Sequence, residues 1–171
     1  QPVMRQEERG VPEKPKPLPG PALTRAGGRG SRQSPACHLV SNGSYSVFVC
    51  DNGLTWARMG ELQVTLARPG EWYAPSGVSA FFRSGDGLSG LTQAPLYQGE
   101  GETSWEFYSS GAAWTFQKGA LWARTSLSVP RRENGELRRI ELVWRGEGRL
   151  EGELLLYLEP VLCPLRDYQA H

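Results

Sequence analysis

The sequence predicts an all-β fold, an antiparallel β-sandwich, from three observations. From residue 55 onward, after a hairpin at 38–53, short apolar stretches alternate with turn formers at spacings typical of antiparallel sheet; helical periodicity is hard to find anywhere; and Gly or Asn residues sit between the strand-like runs. The first 35 residues stand apart. They carry Pro at 2, 12, 15, 17, 19, 21 and 35 and Gly at 10, 20, 27, 28 and 30, with almost no aromatic or β-branched residue to bury. They are read as a flexible linker, leaving residues 36–171 as one sandwich domain, a length that can bury a real core.

The first element is a hairpin over residues 38–53. Leu39 and Val40 run into Asn42 and Gly43, a pair that tolerates the positive φ of a tight primed turn, and Tyr45, Val47 and Val49 then alternate with Ser44, Ser46 and Phe48. Further strands are expected at 55–58, 61–66, 78–83, 88–92, 104–109, 112–117, 120–129, 136–145 and 149–162. The late strands alternate most cleanly. Leu121, Ala123, Thr125, Leu127 and Val129 share one face against Trp122, Arg124, Ser126 and Ser128, while Leu137, Arg139, Glu141, Val143 and Arg145 oppose Arg138, Ile140, Leu142 and Trp144. Gly85-Asp86-Gly87, Ser110-Gly111, Lys118-Gly119 and Asn134-Gly135 supply turns. Residues 67–77, ARPGEWYAPSG, read as a loop presenting Trp72 and Tyr73.

Charge narrows the function classes. Net charge is +1, but residues 1–35 hold seven Lys or Arg against three Glu, so the remainder is −3. A mildly acidic sheet domain lacks the clustered cations that phosphate contacts need, which argues against nucleic acid as a partner. The single Gly-Gly-Arg-Gly run at 27–30 has no repeats or interleaved aromatics and is read as solvated linker. Cys37, Cys50 and Cys163 form neither a CxxC pair nor an even set, so buried or half-buried thiols are expected. No apolar run approaches the ~18 residues of a membrane span, and no leader pattern opens the chain, which reads as a soluble segment cut from a longer protein.

Each catalytic pattern has a plainer reading. Residues 85–90, GDGLSG, match GxGxxG, but LTQAP follows where a dinucleotide site needs a helix, so a tight turn is expected. Asn42-Gly43-Ser44 is a glycosylation sequon and equally a hairpin turn. Cys37, His38, Cys50 and Asp51 lack the repeated close spacing of a metal site. Glu151, Glu153 and Glu159 could offer a glycosidase carboxylate pair, yet same-face carboxylates on an edge strand read as a solvated face. With two histidines, neither in an elbow-like turn, a Ser-His-Asp arrangement is not supported. Six Trp and six Tyr remain, among them Trp72, Tyr73, Trp105, Tyr108, Trp114 and Trp122. Some could stack on sugar rings, although core or interface packing is the ordinary role of each.

These residues also carry a resemblance. HLVSNGSYSVFVCDNGLTWARMGELQVT resembles the start of the β-sandwich domain of the cellobiose phosphorylase family, glycoside hydrolase family 94, through Leu39, Ser41, Asn42, Gly43, Tyr45, Val47, Gly53, Glu61, Leu62, Val64 and Thr65. LYLEPVLCPLRDYQAH resembles that family's Tyr-x-Glu segment through Tyr157, Glu159, Leu162, Asp167, Ala170 and His171. The opening MRQEERGVPEKPKPL is similar to the connector before this sandwich in cyclic β-1,2-glucan synthases, multidomain membrane enzymes. The chain departs from the family at Leu66 and Ala67, where Arg-Trp commonly follows the V-T step.

The resemblance implies a sandwich of the large supersandwich type, without a catalytic residue or cofactor of its own, in a parent enzyme that makes, trims or phosphorolyses β-glucan. In such phosphorylases the Asp general acid sits in a helical barrel that would follow residue 171. The implied partners are that barrel, a second subunit and a β-glucan oligosaccharide, and the implied location of the parent is the inner membrane with this part cytoplasmic. Trp72 and Tyr73 are the expected carbohydrate-contacting residues. A free-standing carbohydrate-binding module is the alternative.

Overall fold

A computed structural model describes residues 21–68, 76–85 and 87–169. Its elements are β1 Leu23–Gly27, β2 Cys37–Ser41, β3 Tyr45–Cys50, β4 Thr55–Met59, β5 Leu62–Thr65, β6 Val78–Ser84, β7 Gly87–Gly90, β8 Glu102–Tyr108, β9 Gly111–Lys118, β10 Leu121–Ser128, β11 Leu137–Trp144, β12 Gly152–Leu158, β13 Pro160–Pro164 and the short helix α1 Leu165–Gln169. Every described pairing is antiparallel. One five-stranded sheet runs β1-β8-β9-β10-β11 and forms a complete layer. A second five-stranded sheet, β13-β5-β4-β3-β2, and a three-stranded sheet, β12-β6-β7, together make the opposing layer.

Alternation decides which side chains meet between the layers. On β3, Tyr45, Val47 and Val49 are buried and pack with Val40, Ala57, Phe107, Trp114 and Leu127 in the main core. Further along the same sheet face, Phe116, Leu121 and Ala123 pack with Ala80 and Phe82 from the three-stranded sheet and with Leu91, just after β7. The burial of Leu121, Ala123, Thr125 and Leu127 follows the period-two expectation along β10. Trp114 is buried, and its Nε1 donates to the Cys50 carbonyl at 2.9 Å, so the indole's polar group is satisfied across the layers.

Four details differ from the sequence expectation. Leu23–Gly27, inside the stretch read as linker, is strand β1 paired with β8. It is held by ladder bonds, by Thr24 Oγ1 donating to the Phe107 carbonyl at 2.8 Å, and by the Arg25 guanidinium lying over Trp105 and Phe107. Backbone pairing and a cation over rings leave no apolar alternation to read. At the hairpin, the turn residues are Gly43 and Ser44; Gly43 alone takes positive φ, at 97°, while Asn42 stands before the turn and accepts from the Ser44 and Tyr45 amides through Oδ1. Gly111, expected to form a turn with Ser110, instead starts β9 opposite Tyr108. The single strand expected over 149–162 is two, because the chain leaves β6 at Leu158 and joins β5 from Pro160.

The GxGxxG-like run enters β7 at Gly87, which stands opposite Ser84, and bends and turns, not a helix, follow it over residues 91–96. Both layers are tied together by Arg138. Its Nη2 donates to Thr55 Oγ1 at 2.7 Å, its Nη1 to the Val78 carbonyl at 3.1 Å and its Nε to Glu136 at 2.8 Å, so one side chain joins all three sheets.

Candidate docking face

The sandwich is closed by ordinary means along most of its margin. At β7, the Gln98 side chain accepts from the Gly90 amide and donates to the Leu88 carbonyl, occupying backbone groups that an edge strand leaves open. β13 begins and ends with proline, which cannot donate to a further strand. β1 and β2 are each five residues long. These are the short, blocked edges that resist stray pairing.

β12 is different. Its sequence GELLLYL contains no proline, and every residue is exposed, with Leu154 at 46%, Leu156 at 64% and Leu158 at 53%. It pairs with β6 on one side, and no strand pairs with its other edge among the described residues. Register places Leu154 beside Phe82 and Leu156 beside Ala80, both core residues, so these leucines project on the core-facing side. Leu155 and Tyr157 lie on the opposite face with Glu153, which is ion-paired to Arg83.

The facing layer is open at the same side. β11 ends its sheet, and on its core-facing side Leu142 and Trp144, aligned with Ala123 and Leu121, remain partly exposed. A hollow of about 340 Å³ enters between the layers, lined by Phe82, Leu121, Trp144 and Leu150 among others. Apolar side chains on the core-facing side yet reaching solvent, on the end strands of two facing sheets, are of the kind that marks an interface.

A polar corner adjoins this face. Arg68 makes a two-pronged ion pair with Glu159, at 2.6 and 3.1 Å, where the chain passes from β12 to β13. The Arg68 guanidinium holds Glu159 below its ordinary value, with a further contribution from Tyr157, whose own hydroxyl is pushed up by the Glu159 carboxylate. The Leu66 amide donates to the Glu159 carbonyl at 3.0 Å, and the Gly77 amide to the Leu66 carbonyl at 3.3 Å. Leu66, Arg68 and Gly77, which flank residues 69–75, therefore lie at this corner. Trp72 and Tyr73 themselves lie outside the described residues.

The other sequence candidates fall into structural roles. Trp105 packs on Phe107 beneath Arg25, Trp122 lies under Arg145, and Tyr108 donates to Glu106 at 2.7 Å while Arg124 binds the same carboxylate at 2.6 Å. His38 stacks on Phe107 and is joined to the Tyr108 carbonyl through Nε2 at 2.9 Å. Glu151, Glu153 and Glu159 pair with Arg149, Arg83 and Arg68 respectively. No cluster of three or more potential metal-ligating side chains occurs among the described residues.

Sequence reasoning missed one surface. On the outer face of β2 to β4, the stacked rings of Phe48 and Trp56, 4.3 Å apart, form the floor of a hollow of about 550 Å³ lined by Leu39, Ser44, Ser46 and Arg58. The signal was present as alternation, since Leu39, Phe48 and Trp56 fall opposite the core positions, but only pairing places Phe48 directly across from Trp56.

Comparison with known families gives a match over nearly all of the described residues. A family model described as Glycosyl hydrolase 94, supersandwich domain, matches residues 22–171, beginning immediately before β1. No curated protein matches the chain.

Proposed function

The chain belongs to the glycosyl hydrolase 94 supersandwich-domain family, and from that premise we propose that it is the non-catalytic sandwich of a larger β-glucan-active enzyme. Its role is to dock through β11 and β12 on the helical-barrel catalytic domain of the same parent, and to help pair subunits. The observation that carries this reading is the open side of the sandwich, above all the exposed leucines of β12. A monomeric domain complete in itself has no reason to leave Leu154, Leu156 and Leu158 in water while they point toward the core side. The arginine partner on each of Glu151, Glu153 and Glu159 supports a structural rather than an acid–base role for those carboxylates.

The test compares the parent enzyme with its Leu156→Lys/Leu158→Lys variant. Docking predicts loss of the folded barrel assembly or of its glucan turnover, while the same changes in the isolated chain suppress self-association without lowering its melting temperature. An assembled, fully active double variant would sink the reading.

The rival reading, a carbohydrate-binding module, has the aromatic hollow over Phe48 and Trp56 in its favour, with Trp72 and Tyr73 as further stacking residues. Calorimetry with β-1,2-glucan and cello-oligosaccharides decides it: binding by the isolated chain, abolished by Trp72→Ala, establishes the module. Heat-silent titrations leave docking as the role.

A further inference from the structure

Cys37 and Cys50 occupy opposed positions on β2 and β3, with their sulfur atoms 3.4 Å apart. The Asp51 amide donates to the Ala36 carbonyl and the Asn42 amide to the Tyr45 carbonyl in the same register, so the ladder bonds fall on those pairs and alternate ones. Cys37 and Cys50 therefore face each other at a non-hydrogen-bonded position, where Cα atoms lie about 4.5 Å apart, inside the ~4.4–6.8 Å window of a disulfide. Closing the bond needs the sulfurs to approach by only about 1.4 Å. The two thiols differ in access: Cys50 is wholly buried under Leu54 and Ala94, whereas Cys37 is partly exposed.

We propose that Cys37 and Cys50 form a thiol–disulfide exchange site that takes a small-molecule disulfide of the glutathione type as oxidant. The Cys37 thiolate attacks one sulfur of the oxidant, forming a mixed disulfide and releasing one thiolate. Cys50, giving up its proton, then attacks Cys37 Sγ and expels the second thiolate. Two protein thiols are oxidised, one small disulfide is reduced to two thiols, and the two protons lost by the cysteines end on them. The product staples β2 to β3 at the end of the hairpin, beside Asp51, whose carboxylate accepts from the Ala36 and Ser31 amides. Burial pushes both thiols up, which makes the exchange slow at neutral pH and faster as pH rises.

The experiment incubates the chain with increasing ratios of oxidised to reduced glutathione and counts free thiols, intact mass and linked peptides. The expected result is that two of the three cysteines disappear, mass falls by about 2 Da, and a single cross-linked peptide joins Cys37 to Cys50 and reverts with dithiothreitol. Cys163→Ser leaves this unchanged, and Cys50→Ala stops the reaction with glutathione attached to Cys37. Three titratable thiols at the most oxidising ratio, or a bond that uses Cys163, overturns the proposal, and both readouts come from the unmutated chain.

Discussion

Arg138 Nη2 donates to Thr55 Oγ1 at 2.7 Å, joining β11 to β4 across the interior. Through the same guanidinium, β11 also reaches the Val78 carbonyl and Glu136, and both members of that ion pair are largely buried. Removing one partner of a buried pair strands the other without water, which costs about 3 kcal/mol or more. Arg138→Met is expected to destabilise the domain by about that amount in urea unfolding, and Thr55→Val by about 1 kcal/mol. The double replacement Arg138→Met/Glu136→Leu should recover much of the loss; no recovery would show that the hydrogen bonds to Thr55 and Val78 matter more than the charge.

Asn42 does two jobs. Its Oδ1 accepts from the turn, and its Nδ2 donates to the Pro130 and Glu133 carbonyls, each at 2.8 Å, so the hairpin is bonded to the β10–β11 connection. Asn42→Ala is expected to cost about 2 kcal/mol, since it leaves carbonyls in a partly buried site without a donor. Asn42→Asp, which keeps the turn acceptors and loses the donors, separates the roles: a cost near that of alanine assigns the stability to the tertiary bonds.

Gly77 stands directly before β6, with φ at 67°, and a Cβ there would lie 2.0 Å from the Thr55 carbonyl oxygen. The contact is with backbone, which cannot swing away. Gly77→Ala is expected to cost at least about 2 kcal/mol. A melting temperature equal to that of the unmutated chain would mean that β4 and Gly77 shift apart at no cost.

Two carboxylates make the fold sensitive to acid. Arg68 holds Glu159 below its ordinary 4.5, and a hydrogen bond from Tyr108, with Arg124, does the same for Glu106. A carboxylate with a lowered folded value contributes stability that is fully present above 4.5 and is lost as pH falls through the lowered values. Melting temperature is therefore expected to drop as pH falls below 4.5, and Glu159→Gln/Glu106→Gln should flatten that drop while lowering the plateau at pH 7. An unaltered acid limb in the double variant would place the sensitivity in other groups.

Leu156→Lys is the counterpart experiment on a site with little to lose locally. Because Leu156 is 64% exposed, its replacement in the isolated chain is expected to stay within about 0.5 kcal/mol. Self-association measured by sedimentation should weaken all the same, which distinguishes an interface residue from a core residue.

Most of the strands were legible in the local sequence, β1 and the break between β12 and β13 excepted. Turn residues and period-two alternation are local, so the hairpin at β2 and β3, the buried face of Leu121, Ala123 and Leu127, and the chain reversal between β6 and β7 could all be read before any contact was known. The similarity of residues 39–65 to a sugar-enzyme sandwich was equally legible, and the match over residues 22–171 agrees with it. Tertiary structure alone decided where the layers end. β1 is held by backbone pairing and Arg25, the split at Glu159 is a change of partner strand, and Arg138 finds its acceptors 83 and 60 residues away. The same holds for the candidate face: residues 154–158, LLLYL, are one unbroken apolar run whose faces only the pairing with β6 separates, and such a run does not record whether an opposing layer is there to cover it. That depends on the width of the facing sheet, which stops at β11.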